Sequence, residues 1–298
     1  MNMLFSAALS LAAGPFTMFP PQPSEAPQQS EEAIVIQGAR PSEHQVRDFV
    51  KALTAVPSYG QISRFHAAVC PVAMGLPQVQ NDRIAERMRA VAAAAKMKVA
   101  PVKCTPNAFV IIAPDKAGAI KDLEKQFPAY LSQMSARQVR ELTDSPEPAA
   151  AWQVKGLLTA DGLEAAKSAG NDYYTVKSAD NPSHIKANSK PTFTASVVVI
   201  DVDAAKGLTL TQLADYAALR TFADVAPARV TGLGVPTILG ALTASQDKPI
   251  PLTLTYWDLG FLKSLYSTDN SYLATYQRGD MEQVLSKTVE TSDNDPRK

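Results

Sequence analysis

The C-terminal third of the chain contains the stretch on which the fold depends. It reads LTLTQLADYAALRTFADV over residues 208–225, VPTILGAL over 235–242 and LTYWDLGFLKSLYSTD over 254–269. The spacing of apolar residues predicts that the first segment is a helix lying across a core and the third is a strongly amphipathic helix. The second segment predicts a short apolar connection between them. We expect the rest of the protein to be organised around these two helices.

Both helices have a threonine near the start. Thr209 or Thr211 can cap the first helix, Gln212–Phe222, because a threonine hydroxyl accepts a hydrogen bond from the free backbone N–H groups of a first helical turn. Thr255 can cap the second helix, which is predicted to run through Leu265. The apolar face of this second helix is expected to consist of Trp257, Phe261, Leu262 and Leu265.

The preceding part of the chain alternates predicted strands with predicted helices. Runs of apolar and β-branched residues predict strands at Ala33–Gly38, near Ile62–Val69, and at Asn107–Ala113, Ala150–Leu158 and Phe193–Asp203. Helices are predicted after the caps Ser42, Asn81, Asp115 and Ser135, and over Tyr272–Val289. The polar stretch 165–190 predicts a long surface excursion or an extended hairpin. The fold class is therefore α+β, a mixed sheet covered by helices, in a single domain over residues 33–290.

The two ends of the chain differ from this domain in composition. Residues 1–26 predict a signal peptide and the start of a tether, residues 27–32 a flexible tether, and residues 291–298 a charged tail. The apolar run Leu4–Ala13 is shorter than the roughly 20 residues that span a bilayer, so no integral membrane span is expected. Signal peptides usually begin with a positively charged segment, but the first three residues here carry no Lys or Arg. A misassigned start codon would explain this difference. The alternative is a disordered apolar N-terminus.

Composition excludes some classes of partner. The 298 residues include 29 basic and 29 acidic side chains, so the formal net charge is zero. Proteins that bind nucleic acid generally carry a basic excess, so no nucleic-acid partner is expected. We expect a periplasmic or secreted protein with a partner in the cell envelope.

The chain has two cysteines, Cys70 and Cys104. An even number of cysteines in an exported protein predicts a disulfide. The bond would enclose 33 residues, and the loop-entropy account gives it roughly 3–4 kcal/mol. A metal pair or a reactive thiol are the competing interpretations, but neither has a CxxC spacing to support it.

Three short segments resemble a known family. They are Leu213–Leu219 (LADYAAL), Pro236–Leu239 (PTIL) and Leu254–Leu259 (LTYWDL). Their order is similar to the C-terminal part of zincin metalloproteases of the metzincin-like branch, in which a helix carries HExxH and a later helix packs behind the metal site. The pattern also resembles a family of uncharacterised exported alphaproteobacterial proteins, several of which keep a His-Glu in this helix. The resemblance implies a zincin-like C-terminal third.

The metal ligands of that family are missing here. The resemblance puts Asp215 and Leu219 where the two histidines would be, and Tyr216 in place of the glutamate; shifting the register by one residue supplies no better set. We therefore predict no catalytic residue, no metal site and no cofactor. The resemblance leaves a candidate cleft formed by Asp215, Tyr216, Tyr256 and Asp258.

Two functions remain open from the sequence. The first is a non-catalytic binding or envelope-associated domain on a degenerate zincin-like scaffold. The second is a hydrolase, metal-dependent and peptidase-like, whose site is not recognisable. Asp201 and Asp203 with Asp215 could form an acidic cluster that takes a cation, although polar residues at a strand end are explained equally by contact with water.

Overall fold

The computed structural model describes residues 42–54, 56–57, 59–167, 174–176, 183, 185–244 and 249–293, with side chains to residue 288. These residues belong to one compact unit, 34–298. The predicted signal peptide, tether and strand Ala33–Gly38 lie outside the described residues, as does most of the predicted charged tail.

The frame of the molecule is a mixed β-sheet. Its strand order is β1-β2-β6-β3, in which β1, β2 and β6 are parallel and β3 is antiparallel to β6. The strands are β1 (Pro71–Met74), β2 (Ala108–Ala113), β3 (Ala149–Thr159) and β6 (Ser189–Asp201). In the polar stretch between β3 and β6, β4 (Ala166–Lys167) pairs antiparallel with β5 (Tyr174–Thr175).

Helices cover both faces of the four-stranded sheet. The described residues form α1 (Glu43–Leu53), α2 (Gln78–Ala94), α3 (Lys116–Gln126), α4 (Ala136–Asp144), α5 (Leu210–Phe222), α6 (Tyr256–Ser267) and α7 (Ala274–Asp293). One face packs against α3 and α4 over a small core that includes Ile120, Val139 and Trp152. The other face packs against α2 and α5 over the main core, to which α1, α6 and α7 also contribute. The predicted α+β fold with a mixed sheet covered by helices is confirmed.

The predicted helix caps are confirmed at five helices and wrong at one, although Asp115, the N-cap residue of α3, makes no capping hydrogen bond with its side chain. Ser42, Ser135, Thr209 and Thr255 each form a capping box at the start of α1, α4, α5 and α6. Asn81 does not cap α2, because this helix begins three residues earlier, at Gln78. The Asn81 side chain instead donates to the Leu76 carbonyl over 2.6 Å and accepts from the Leu76 N–H over 3.3 Å, which holds the incoming loop.

The strand predicted near Ile62–Val69 is also wrong. This segment makes only isolated bridges, from Arg64 to Thr192 and from Val69 to Val99, and the strand begins at Pro71. The Ile62 N–H donates to the Gln277 side chain over 2.7 Å, so part of its backbone is satisfied by a helix and not by a neighbouring strand. Proline cannot donate a hydrogen bond to the ladder, and it is tolerated as the first residue of an edge strand because no donor is required there.

The helix predicted as strongly amphipathic, α6, is buried on nearly all sides. Besides the apolar residues expected to face the core, its polar and small residues Asp258, Gly260 and Ser264 are buried. The reason is that α7 covers the side that the pattern left for solvent. A Cβ on Gly260 would come within 2.4 Å of Leu285 Cδ1 on α7, so the close approach of the two helices requires a glycine at this position.

The predicted disulfide between Cys70 and Cys104 is confirmed. Cys70 directly precedes β1, and Cys104 lies in the loop before β2, so the bond ties together the entries to two neighbouring parallel strands.

Candidate binding groove

The four residues of the predicted cleft all lie inside the protein and do not line an open surface. Asp215, Tyr216, Tyr256 and Asp258 are each at most 4% exposed. Tyr256 stacks on the Trp257 ring, with 5.4 Å between the ring centroids. The two carboxylates and Tyr216 have separate surroundings, and each has a separate role.

Asp215 is half of a buried ion pair that joins two helices. Its carboxylate accepts from Arg87 of α2 at both oxygens, over 2.7 Å from Nε and 3.0 Å from Nη2. It also accepts from the Thr253 hydroxyl over 2.7 Å and from the Leu254 N–H over 2.8 Å. Arg87 is 13% exposed at its side chain and Asp215 is 0% exposed. Asp215 therefore fixes α2, α5 and the segment entering α6, and has no free oxygen face for a ligand.

Asp258 closes the start of α6 against the preceding connection. Its carboxylate accepts from the N–H groups of Ile238 and Thr255, each over 2.9 Å, and from the hydroxyl of Thr237. Burial raises the pKa of Asp258, and these hydrogen bonds, which favour the ionised form, offset the effect only in part. The apolar connection 235–242 is therefore held to α6 by one buried carboxyl group.

The histidines do not form a metal site among the residues with described positions. His44 pairs with Asp48 on the surface of α1 over 2.9 Å. Burial and the nearby cations Arg64, Lys190 and Lys98 lower the pKa of His66 to about 4, so this imidazole is neutral at pH 7. His184 lies outside the described residues. Among the residues with described positions, no three His, Cys, Asp or Glu side chains are grouped as a metal ion would need, and this includes the acidic cluster considered above.

A groove of about 580 Å³ runs along the free edge of β3. Its floor is the strand from Ala149 to Lys155. One wall comes from α4 and its flanking loops, including Gln138, Leu142 and Glu147, and the other wall from Arg220 and the segment 224–228 after α5. No described strand pairs with β3 on this side, because β3 is the last strand of the sheet.

The direction of the backbone groups of β3 follows from its pairing with β6. The Asp201 N–H donates to the Pro148 carbonyl over 2.9 Å, so Pro148 points toward β6, and alternate residues after it do the same. Ala149, Ala151 and Gln153 therefore direct both backbone groups away from β6 and into the groove. The Ser196 N–H, opposite Gln153, donates to Asn107 beside β2, which agrees with this alternation. Within the described part of the chain, the outward groups of these three residues have no hydrogen-bond partner.

The same edge is closed immediately beyond these residues. The Gln133 side-chain amide accepts from the Lys155 N–H over 2.8 Å and donates to the Lys155 carbonyl over 2.6 Å. Further along, the Leu157 carbonyl accepts from the Ala165 N–H over 2.9 Å. An unpaired strand edge promotes aggregation, and proteins usually cover it. In β3 the cover stops where the groove begins.

The wall of the groove contains a buried cation, Arg220, which is 6% exposed. Its Nη1 donates to the Tyr216 hydroxyl over 2.8 Å, and its Nε has no hydrogen-bond partner among the described residues. Burial raises the pKa of Tyr216, which keeps the hydroxyl protonated. No motif in the sequence singles out Arg220. The only signal was that Tyr216 and Arg220 lie four apart, on one side of a helix.

No family model, curated protein or solved structure that was compared with the chain matches it. In the described part of the chain, none of the helices is long and apolar enough to cross a bilayer.

Proposed function

We propose that this protein is an exported, non-catalytic binding domain that captures an extended polypeptide segment in the β3 groove. The segment would add to the sheet as a further strand beside β3. The observation that carries the proposal is the set of outward backbone groups at Ala149, Ala151 and Gln153, which lie at the floor of a groove and have no described partner.

Strand addition uses backbone hydrogen bonds for affinity and neighbouring pockets for specificity. Each of the three outward residues offers one N–H donor and one carbonyl acceptor, and a net hydrogen bond contributes about 0.5–1.5 kcal/mol. The floor carries the small side chains of Ala149, Ala150 and Ala151, and the groove beside them has a volume of about 580 Å³ for the bound segment. The Gln133 side chain already pairs with the edge of β3 in this way. Its amide accepts from the Lys155 N–H and donates to the Lys155 carbonyl, as a peptide group of an added strand would.

Export and the zincin-like scaffold are part of the same proposal. A disulfide between the entries to two strands is consistent with an oxidising compartment, such as the periplasm or the exterior. In the zincin-like interpretation, α5 is the helix that would carry the metal ligands. Its residues Asp215 and Leu219 are buried in packing roles here, which supports a scaffold used for binding.

The test selects binding partners from a library of random ten-residue peptides displayed on phage. A selected peptide is then synthesised with an N-methyl group at each position in turn. Strand addition predicts alternation: methylation at every second residue abolishes binding, because those N–H groups face β3, and methylation at the residues between has little effect. Uniform tolerance of N-methylation, or failure to select any peptide, would contradict the proposal.

A second arm separates binding from hydrolysis. The selected peptide is incubated with the full chain and followed by mass spectrometry. We expect the peptide to remain intact. Cleavage would favour the peptidase-like alternative over a binding domain.

A further inference from the structure

Arg220 is a charged group that the described residues leave without a counter-ion. A guanidinium stays protonated at physiological pH, so burying it without an anion costs free energy. Arg220 is more than nine-tenths buried, yet no described acidic side chain forms an ion pair with it. Arg220 also lines the groove, and its Nε has no hydrogen-bond partner among the described residues, so a ligand in the groove could supply the missing anion.

The acidic groups near the groove do not fill this role. Glu141 is paired with Arg137 over 2.8 Å, and Asp224 is paired with Lys155 over 3.0 Å. Glu147 lines the groove and lies near enough to Tyr216 to influence its pKa, but it makes no described ion pair with Arg220. Arg220 therefore has no described counter-ion, and its guanidinium is available to pair with an anion in the groove.

Tyr216 positions this cation from inside the protein. Its oxygen accepts from Arg220 Nη1, which leaves its own O–H without a described acceptor. The Tyr216 ring also lies under the guanidinium, with 5.7 Å from the Arg220 Cζ to the ring centroid, and this holds the guanidinium in place. An anion in the groove could accept from the remaining N–H groups of Arg220, and a planar carboxylate matches the fork of an arginine.

We infer that the polypeptide captured by the β3 groove carries a carboxylate that pairs with Arg220. The inference rests on the proposed strand addition, which would bring a peptide past this wall. The carboxylate is either an Asp or Glu side chain or the free C-terminus of the segment, since the two present the same group. It accepts from the Arg220 N–H groups that Tyr216 does not use.

The first experiment compares matched peptides. The selected peptide is made with its C-terminus amidated, or with each acidic side chain changed to its amide, and its dissociation constant is measured against the wild type and against Arg220→Gln. One of these changes is expected to weaken binding to the wild type by about 10- to 100-fold and to have little effect on the variant. The change that does so identifies the source of the carboxylate. Lys155→Gln, which changes an exposed cation of the same groove, is the control and should leave this difference intact.

The second experiment tests Arg220 without any peptide. The Nε–H resonance of Arg220 is followed by NMR in the full chain during titration with sodium acetate, with sodium chloride and sodium phosphate at equal ionic strength as controls. A saturable shift with acetate, absent with chloride, is expected. If neither acetate nor a peptide carboxylate affects Arg220, or if only phosphate does, the inference is wrong. A peptide that binds with alternating N-methyl sensitivity but needs no carboxylate would overturn this inference and leave strand addition standing. A response to acetate with no peptide captured would overturn strand addition and leave only an anion site at Arg220.

Discussion

Replacing Arg87 by methionine is expected to lower the free energy of unfolding by about 3–5 kcal/mol, which is the usual cost of removing one partner of a buried ion pair. The structure explains why this case should be severe. Asp215 is completely buried, and Arg87 donates to both of its oxygens, over 2.7 and 3.0 Å. Without Arg87, the carboxylate keeps only the donors Thr253 and Leu254 in a site that water does not reach.

The second substitution of the pair supplies an internal check. Asp215→Asn removes the charge and still offers an oxygen to the Leu254 N–H. The double variant Arg87→Met/Asp215→Asn should therefore lose less than the sum of the single losses, with a coupling of about 2–3 kcal/mol. Urea unfolding at pH 7, followed by circular dichroism with the disulfide intact, measures all four proteins.

An exposed pair provides the matched control. Arg137 and Glu141 are joined over 2.8 Å, but their side chains are 83% and 59% exposed. Arg137→Met should cost less than about 0.5 kcal/mol, because water screens the pair. The reasoning would be refuted by a loss of less than about 1 kcal/mol for Arg87→Met, or by single losses that add.

Three further predictions concern other parts of the fold. Arg220→Met should leave the thermal midpoint unchanged or raise it, because it removes a buried charge that has no described counter-ion; a large loss, measured by calorimetry, would show a structural role. Asp258→Asn should become more stable relative to the wild type as the pH rises above about 4. Burial raises the pKa of Asp258 in the folded protein, so the wild type has the full stabilising contribution of protonated Asp258 below the unfolded pKa and loses it as the pH rises through the folded pKa. Stability curves of the two proteins that stay parallel from about pH 3 to 8 would contradict this. Replacing Cys70 and Cys104 by serine should cost about 4 kcal/mol for a loop with a sequence separation of 34, and denaturant unfolding, with the m-value of each protein fitted separately, measures this loss.

The part of the fold that follows from local pattern could be predicted from the sequence. The run Ala108–Ala113 is apolar without interruption, and β2 is an inner strand with neighbours on both sides. Ser42 and Gln45 predict a capping box, and the structure contains it. These features depend on residues a few positions apart, so the sequence is enough.

What could not be predicted depends on distant contacts. The segment Ile62–Val69 has a strand-like composition, but its bridge partners, Thr192 for Arg64 and Val99 for Val69, lie 128 and 30 residues away along the chain and supply only isolated bridges. The exposed side expected for α6 is covered by α7, which no pattern within α6 indicates.

The site depended on distant contacts in the same way. Asp215 and Asp258 could be selected as polar residues on core helices, but their donors come from other elements, and burial leaves them no room for a ligand. Arg220 was missed because an arginine in a helix normally faces water, and only the fold shows that its surroundings lack an anion. The groove at β3 depends on which strand lies last in the sheet, and that order is a property of the whole topology.

The measurement that tests the central claim most directly is amide hydrogen exchange by NMR along β3, with and without a selected peptide. Strand addition predicts that the amides of Ala149, Ala151 and Gln153 exchange quickly in the free protein and become protected in the complex. The amides of Ala150, Trp152 and Val154, which face β6, should be protected in both states. If the peptide binds and the three outward amides still exchange at the rate of the free protein, the β3 edge is not the binding site.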